Sequence, residues 1–253
     1  MGHTTYTLLT LVKGLAALEA LETVDDGLTL TELARRLKES QTVVFRVLKT
    51  LEGHGYVQHD PVSRRYTLGL RIWEIGAKAV GRTGVVEAAR PVLKWLTTVT
   101  GQTSGLIVLR GTDVLYVDIR EGQEALRFYA EAGARAPAYG TASGKAMLAW
   151  HPERVNQVVT AGMRRLTPTT IVRAADLRRE LQEIRRTGVA TNRGERQPDL
   201  VAVAAPLFDA RGECVAAVGI AGSRTRFTDD IEDFKRHVRK ASEEISTKLG
   251  HRA

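Results

Sequence analysis

The feature that most constrains the fold lies late in the chain. Two nine-residue apolar runs, LVAVAAPLF at 200–208 and ECVAAVGIA at 213–221, flank Asp209 to Gly212. Runs of that length bounded by turn residues read as strands, and a short Asp- and Gly-containing connection makes them a hairpin. The same pattern occurs earlier: SGLIVLRG and DVLYVDIRE are joined through Gly111 to Asp113, and ALRFYAE follows as a further strand. Helical spacing occupies 86–99, 143–150, 152–161 and 175–187, and an amphipathic helix capped by Thr228 runs over 228–249. Consecutive hairpins with helices grouped around them indicate an antiparallel sheet in an α+β domain.

The first seventy residues follow another plan. Leu8, Leu11, Leu15, Leu18 and Leu21 recur at helical spacing until Asp25-Asp26-Gly27, giving a first helix over about 7–23. Thr29 with Glu32 three residues later is a capping box, so a second helix spans about 30–37. Ser40 caps a third, on which Val44, Val47, Leu48 and Leu51 form one side and Thr42, Phe45, Arg46 and Lys49 the other. Gly53 and Gly55 end it. A strand, a turn at Asp60-Pro61 and a second strand carrying Arg64 and Arg65 near its start come next. Three short helices and a hairpin are the plan of a winged helix-turn-helix, whose third helix enters the major groove of double-stranded DNA. Arg46 then suits a guanine edge and Phe45 a thymine methyl, with Gln41, Thr42 and Lys49 beside them. Arg64 and Arg65 on the wing suit phosphates or a minor groove. A merely solvated helix face would not expose a phenylalanine.

Charge supports this locally. The chain of 253 residues has a formal net charge of +8. Over 35–71, Arg35, Arg36, Lys38, Arg46, Lys49, Arg64, Arg65 and Arg71 face only Glu39, Glu52 and Asp60. An anionic partner is the implication. The length suggests two domains, divided here as 1–69, a connecting helix at 70–84 carrying Leu70, Trp73, Ile75 and Ala77, and 85–253.

Several chemistries find no support. Cys214 is the only cysteine, which removes disulfides and thiolate clusters and fits a reducing cytoplasm. His3, His54, His59, His151, His237 and His251 show no close pair at metal-ligand spacing, so no metal is expected. The apolar run Leu8 to Leu21 contains Lys13 and Glu19 and reads as an amphipathic helix, neither a signal peptide nor a membrane span. Gly140 to Met147, GTASGKAM, has the wrong spacing for a phosphate loop and Ala146 in place of a magnesium-binding hydroxyl. It opens a helix, and backbone N–H groups near Ser143 to Lys145 suit a carboxylate. No nucleophile, base or cofactor motif appears, so no enzyme is expected.

Three blocks together resemble the IclR family of bacterial transcriptional regulators: LTLTELARRL…TVVFRVLKTLEGHGYV…YTLGLRIWEIG; GKAMLAW, preceded by Pro137; and GVATN…VAVAAPLFDARGECVAAVGIAGSRTRFT. The resemblance covers essentially the whole chain. It implies a winged helix joined to a GAF-like effector domain, dimers or tetramers, and small organic acids or aromatic compounds as effectors. It places the effector pocket at Ala142, Ser143 and Phe128, with Asn192, Ala202, Gly219 and Ala221 as further walls. Acid-binding members carry Asp, Cys and Ser where this chain has those last four residues. Fewer polar groups and more free volume suit an aromatic or otherwise bulky carboxylate rather than a two- or three-carbon acid. The expectation is a cytoplasmic, ligand-responsive homodimer on a palindromic operator, without cofactor. An enzyme acting on the same ligand and a non-specific nucleic-acid or scaffold protein are the rivals.

Overall fold

The computed structural model describes residues 7–81, 84–122 and 131–252. They form two compact units, Met1–Arg82 and Thr83–Ala253. The strand expected at ALRFYAE, and Phe128 with it, lies outside the described residues except for Glu131.

In the first unit, helices α1 (Leu9–Glu22), α2 (Leu30–Leu37) and α3 (Gln41–Gly53) pack through Ala17, Leu21, Leu33, Val44 and Leu48. The capping box forms: the Thr29 amide donates to Glu32 Oε2 at 2.8 Å and the Glu32 amide to Thr29 Oγ1 at 3.3 Å. The Thr29 backbone N–H, then its hydroxyl, hold the Glu32 carboxyl below its ordinary range. Lys38, at φ 54, ends α2 in the left-handed region and turns the chain toward α3. Strands β2 (Val57–Asp60) and β3 (Arg65–Leu68) form the wing hairpin. A two-residue strand β1 (Leu28–Thr29) pairs with the outer side of β3, too short to show any periodicity in sequence. Helix α4 (Leu70–Gly81) follows. Only the C-terminal half of α1 supplies core residues, whereas Leu8, Leu11 and Leu15 are exposed, as are Leu70 and Trp73 of α4.

The second unit is a six-stranded antiparallel sheet of β4 (Thr103–Arg110), β5 (Asp113–Arg120), β6 (Arg135–Pro137), β7 (Ala190–Arg193), β8 (Leu200–Phe208) and β9 (Cys214–Ser223), ordered β6-β5-β4-β9-β8-β7. Both expected hairpins are present, the second closed by the Gly212 amide on the Asp209 carbonyl at 3.0 Å. One sheet face is covered by α5 (Val85–Thr100) and α9 (Arg224–Lys248) over Leu93, Leu96, Val218, Phe227 and Val238. The other carries α6 (Ala142–Leu148), α7 (Pro152–Ala161) and α8 (Ala174–Thr187). The architecture is α+β, a helix-turn-helix unit with a curled antiparallel-sheet unit.

Two helix boundaries differ from those expected. Helix α6 stops at Leu148 rather than 150: its last turn tightens to i→i−3 bonds, the Trp150 amide on the Met147 carbonyl at 2.9 Å and the His151 amide on that of Leu148 at 3.2 Å. Helix α9 begins at Arg224, one turn ahead of the Thr228 start. Its first turn is fixed by packing instead of a side-chain cap: Phe227 is fully buried, 4.8 Å from the ring of Phe234.

Candidate functional site

On α3 the two faces separate as the wheel requires. Val44, Val47 and Leu48 are buried; Gln41, Thr42, Phe45, Arg46 and Lys49 are exposed. Ser40 Oγ caps the helix by accepting from the Val43 amide at 3.4 Å. Gln41 Nε2 donates to Thr31 Oγ1 at 3.2 Å, which ties the start of α3 to α2. Phe45 is 44% exposed and so forgoes part of the roughly 1.5 to 3 kcal/mol that burying such a ring is worth. Lys49 bonds Glu52 at 2.8 Å, with its ammonium 5.9 Å from the Phe45 ring centroid. Arg46 makes no ion pair among the described residues, so it is the uncompensated cation at the middle of this face.

The wing arginines divide. Arg64 lies in the turn before β3 rather than on the strand, exposed and at φ 56. The turn is held by the Asp60 carboxylate, which accepts from Ser63 Oγ at 2.5 Å and the Val62 amide at 2.9 Å; those bonds keep it below its ordinary range. Arg65 turns inward, donating to the Gly27 carbonyl at 2.8 Å and reaching Glu32 Oε2 at 3.4 Å. Its guanidinium braces β3 against the start of α2, and Arg64 alone projects from the tip.

In the second unit, strand register lines up the small residues. Asn192, Ala202, Ala221 and Thr103 are successive partners across β7, β8, β9 and β4. Two residues along, Ala190, Ala204, Gly219, Gly105 and Ile119 form a parallel row. Side chains two apart share a face, so these rows lie on one side of the sheet and form a floor of mostly small residues. Above it lies a cavity of about 530 Å³ including its open mouth, walled by Gly140 to Ser143, Tyr116, Ile119, Arg196 and Leu200. Ala142, Ser143, Asn192, Ala202, Gly219 and Ala221 all line it. Gly219 serves packing as well as volume: a Cβ there would sit 2.7 Å from the Val203 carbonyl oxygen.

The structure narrows three of these residue roles. Asn192 is buried, with Nδ2 donating to the Gly140 carbonyl at 2.6 Å and Oδ1 accepting from the Glu195 amide at 3.1 Å. It clamps two walls together. Of the amides expected to meet a carboxylate, that of Gly144 donates to Thr141 Oγ1 and that of Lys145 to the Thr141 carbonyl, each at 3.0 Å. Among the three residues 143–145, that leaves Ser143.

Lys145 is fully buried yet completely satisfied. Its ammonium donates to Glu195 Oε1 at 2.6 Å, the Thr191 carbonyl at 2.8 Å and Glu180 Oε1 at 3.0 Å. The other Glu195 oxygen, Oε2, is buried with no hydrogen-bond partner among the described residues. Burial pushes the Glu195 carboxyl above its ordinary range, with Lys145 pulling the other way. Thr170 Oγ1 donates to the Glu195 carbonyl at 2.6 Å, and Thr167 and Thr169 donate to that of Gly194 at 2.6 and 2.8 Å. The start of the β7–β8 connection, Gly194 and Glu195, is thereby held in place. It delivers Arg196 to the cavity wall, beside Tyr116. Sequence reasoning missed Arg196, Tyr116 and the role of Lys145, since a loop residue has no periodicity that says where it points.

Comparison with known proteins follows the same two units. The family model for the IclR helix-turn-helix domain matches residues 10–61, and that for the bacterial transcriptional regulator IclR C-terminal matches 77–247. The chain belongs to the IclR family. It is accordingly a DNA-binding transcriptional regulator. The HTH-type transcriptional regulator BhcR of Paracoccus denitrificans (strain Pd 1222) is 35% identical over 208 residues, 81% of this chain and 75% of that protein. The crystal structure of Thermotoga maritima IclR is similar at a TM-score of 0.79 and 29% identity, covering 97% of this chain and all of the other. An IclR homologue from Microbacterium hydrocarbonoxydans, solved with 4-hydroxybenzoate, shares the fold at a TM-score of 0.86 and 23% identity, covering 95% of this chain and 98% of that one. No helix among the described residues is long and apolar enough to cross a membrane, and no group of His, Cys, Asp or Glu among them is placed to hold a metal.

Proposed function

We propose that this IclR-family chain is a cytoplasmic, ligand-responsive regulator that reads a palindromic operator as a homodimer or tetramer and senses a small carboxylate. Residues 1–69 bind DNA, 70–84 connect, and 85–253 take the effector. The observation that carries the DNA half is the face of α3, where an exposed phenyl ring stands beside an uncompensated arginine. Arg46 reads a base, Phe45 presses on a thymine methyl, Gln41, Thr42 and Lys49 flank them, and Arg64 meets a phosphate. Arg65 positions the wing from within. The exposed leucines of α1 and Trp73 of α4 offer apolar surface of the kind a second copy covers.

The effector half rests on the cavity: a mainly apolar floor with few polar groups, the usual composition of a small-molecule site. A bulky or aromatic carboxylate fits it, and a related fold holds 4-hydroxybenzoate, itself such an acid. We assign no catalysis and no cofactor. Selection of random-sequence duplexes by the full chain tests the proposal. Two-fold symmetric sites bound at least ~10³-fold more tightly than random DNA are expected. Enrichment of no sequence would overturn it in favour of non-specific binding.

A further inference from the structure

We propose that Arg196 is the anion anchor of the cavity, and that with the Tyr116 hydroxyl it selects carboxylates, aromatic ones included, over uncharged molecules of the same shape. The inference rests on the effector-site reading above and adds the recognition chemistry.

Arg196 is the only charged residue lining the cavity among the described residues. It is half-buried and forms no ion pair with any described carboxylate. The nearby cation, Lys145, is consumed by Glu195, Glu180 and a carbonyl. A guanidinium set against apolar walls without a counter-charge is costly unless something supplies one, and a carboxylate matches its planar fork with two parallel hydrogen bonds. The residue before it is in place beforehand. That residue, Glu195, is bonded through its carboxylate, its amide and its carbonyl, so little loop ordering remains to oppose binding.

Tyr116 stands next to it on β5 and supplies a second donor. Burial pushes that phenol further above its ordinary value, so it keeps its proton throughout the neutral range. The floor of Ala202, Ala204, Gly105, Gly219 and Ala221 offers apolar contact, and Arg196 on the wall supplies the charge. An amine would meet the arginine. A ring bearing a carboxylate satisfies both the floor and the anchor.

The test is calorimetric titration of the full chain with benzoate, 4-hydroxybenzoate and benzamide, the last having the shape of benzoate without its charge. The unsubstituted protein is expected to prefer either acid to the amide by at least ~10²-fold. Arg196→Leu should lose ~10²-fold or more for the acids and little for the amide, and Arg196→Lys should fall between, since it keeps the charge without the fork. Ala202→Leu, which fills the floor, should abolish all binding. Melting curves of the ligand-free variants check that each is folded, and Arg196→Lys carries the comparison should Arg196→Leu not fold. Full acid binding by Arg196→Leu, with Ala202→Leu inactive, would overturn the anchor and leave the cavity standing. Acid binding untouched by Ala202→Leu would overturn the cavity reading itself. No acid binding by the unsubstituted protein would overturn both.

Discussion

Replacing Lys145 with Met should destabilise the C-terminal unit more than any surface change could. The side chain is fully buried, and its three donors meet Glu195, Glu180 and the Thr191 carbonyl at 2.6 to 3.0 Å. Methionine fills similar space but strands a nearly buried carboxylate and a carbonyl. Removing one member of such a buried pair costs about 3 to 5 kcal/mol, because the remaining charge keeps its desolvation penalty. With a urea dependence of about 2 kcal/mol per molar, the unfolding midpoint should fall by roughly 1.5 to 2.5 M. Trp95 and Trp150 report on this unit, and a Trp73→Phe background silences the tryptophan of the other. The sign of the pH dependence is fixed as well. Glu195 already has a folded pKa above its unfolded 4.5, and losing Lys145 raises it further. An acid with a raised folded pKa takes up a proton on folding, so stability falls as pH rises from about 4.5 through the folded value. The Lys145→Met deficit should therefore be smaller at pH 5 than at pH 8, and adding Glu195→Gln should recover part of it. A midpoint shift below about 0.5 M, equal at both pH values, would refute the claim that this network is a satisfied buried ion cluster.

On DNA, Arg46→Ala should flatten discrimination between a selected site and random duplex, with a loss of roughly 1 to 3 kcal/mol on the selected site alone, read by fluorescence anisotropy. Arg64→Ala should weaken all sequences alike and lower the salt slope by about 0.9, measured from 50 to 200 mM salt. Thr29→Ala removes the hydroxyl half of the capping box, leaving the backbone bond to Glu32, and should cost about 1 kcal/mol in denaturant unfolding of the N-terminal unit. Burial pushes the Cys214 thiol up to about 12, so a thiol-specific reagent at pH 8 should label it only after unfolding. Rapid labelling of the native chain would contradict its burial on β9.

The parts legible in sequence were those where a local pattern and the tertiary environment agree. Val44, Val47 and Leu48 declared the buried side of α3, and the turn at Asp209 to Gly212 set the β8–β9 hairpin, because periodicity and turn chemistry are read residue by residue. Strands β1, β6 and β7 went unseen at two to four residues each, since their pairing is decided by partners distant in sequence. The start of α9 was misplaced because Thr228 looks like a cap, whereas burial of Phe227 outweighs it. In the cavity, the resemblance to a family picked out the floor positions, and strand register shows why they meet. Asn192 lies at the wall, where its amide also bridges Gly140 and Glu195, a structural role that no sequence pattern announces. Arg64 and Arg65 read alike in sequence and are separated only by the left-handed turn that sends one outward and the other onto Gly27.

Anisotropy of the full chain on a selected duplex and on its scrambled counterpart, each with and without saturating 4-hydroxybenzoate, tests the central claim most directly. Ligand-responsive reading of DNA predicts a selected-to-scrambled affinity ratio of at least ~10³, and a change of about 5-fold or more on the selected duplex when the acid is added, the size of a typical coupling between sites. Equal affinity for both duplexes, or affinity for the selected one that the bound acid leaves unchanged, would contradict it.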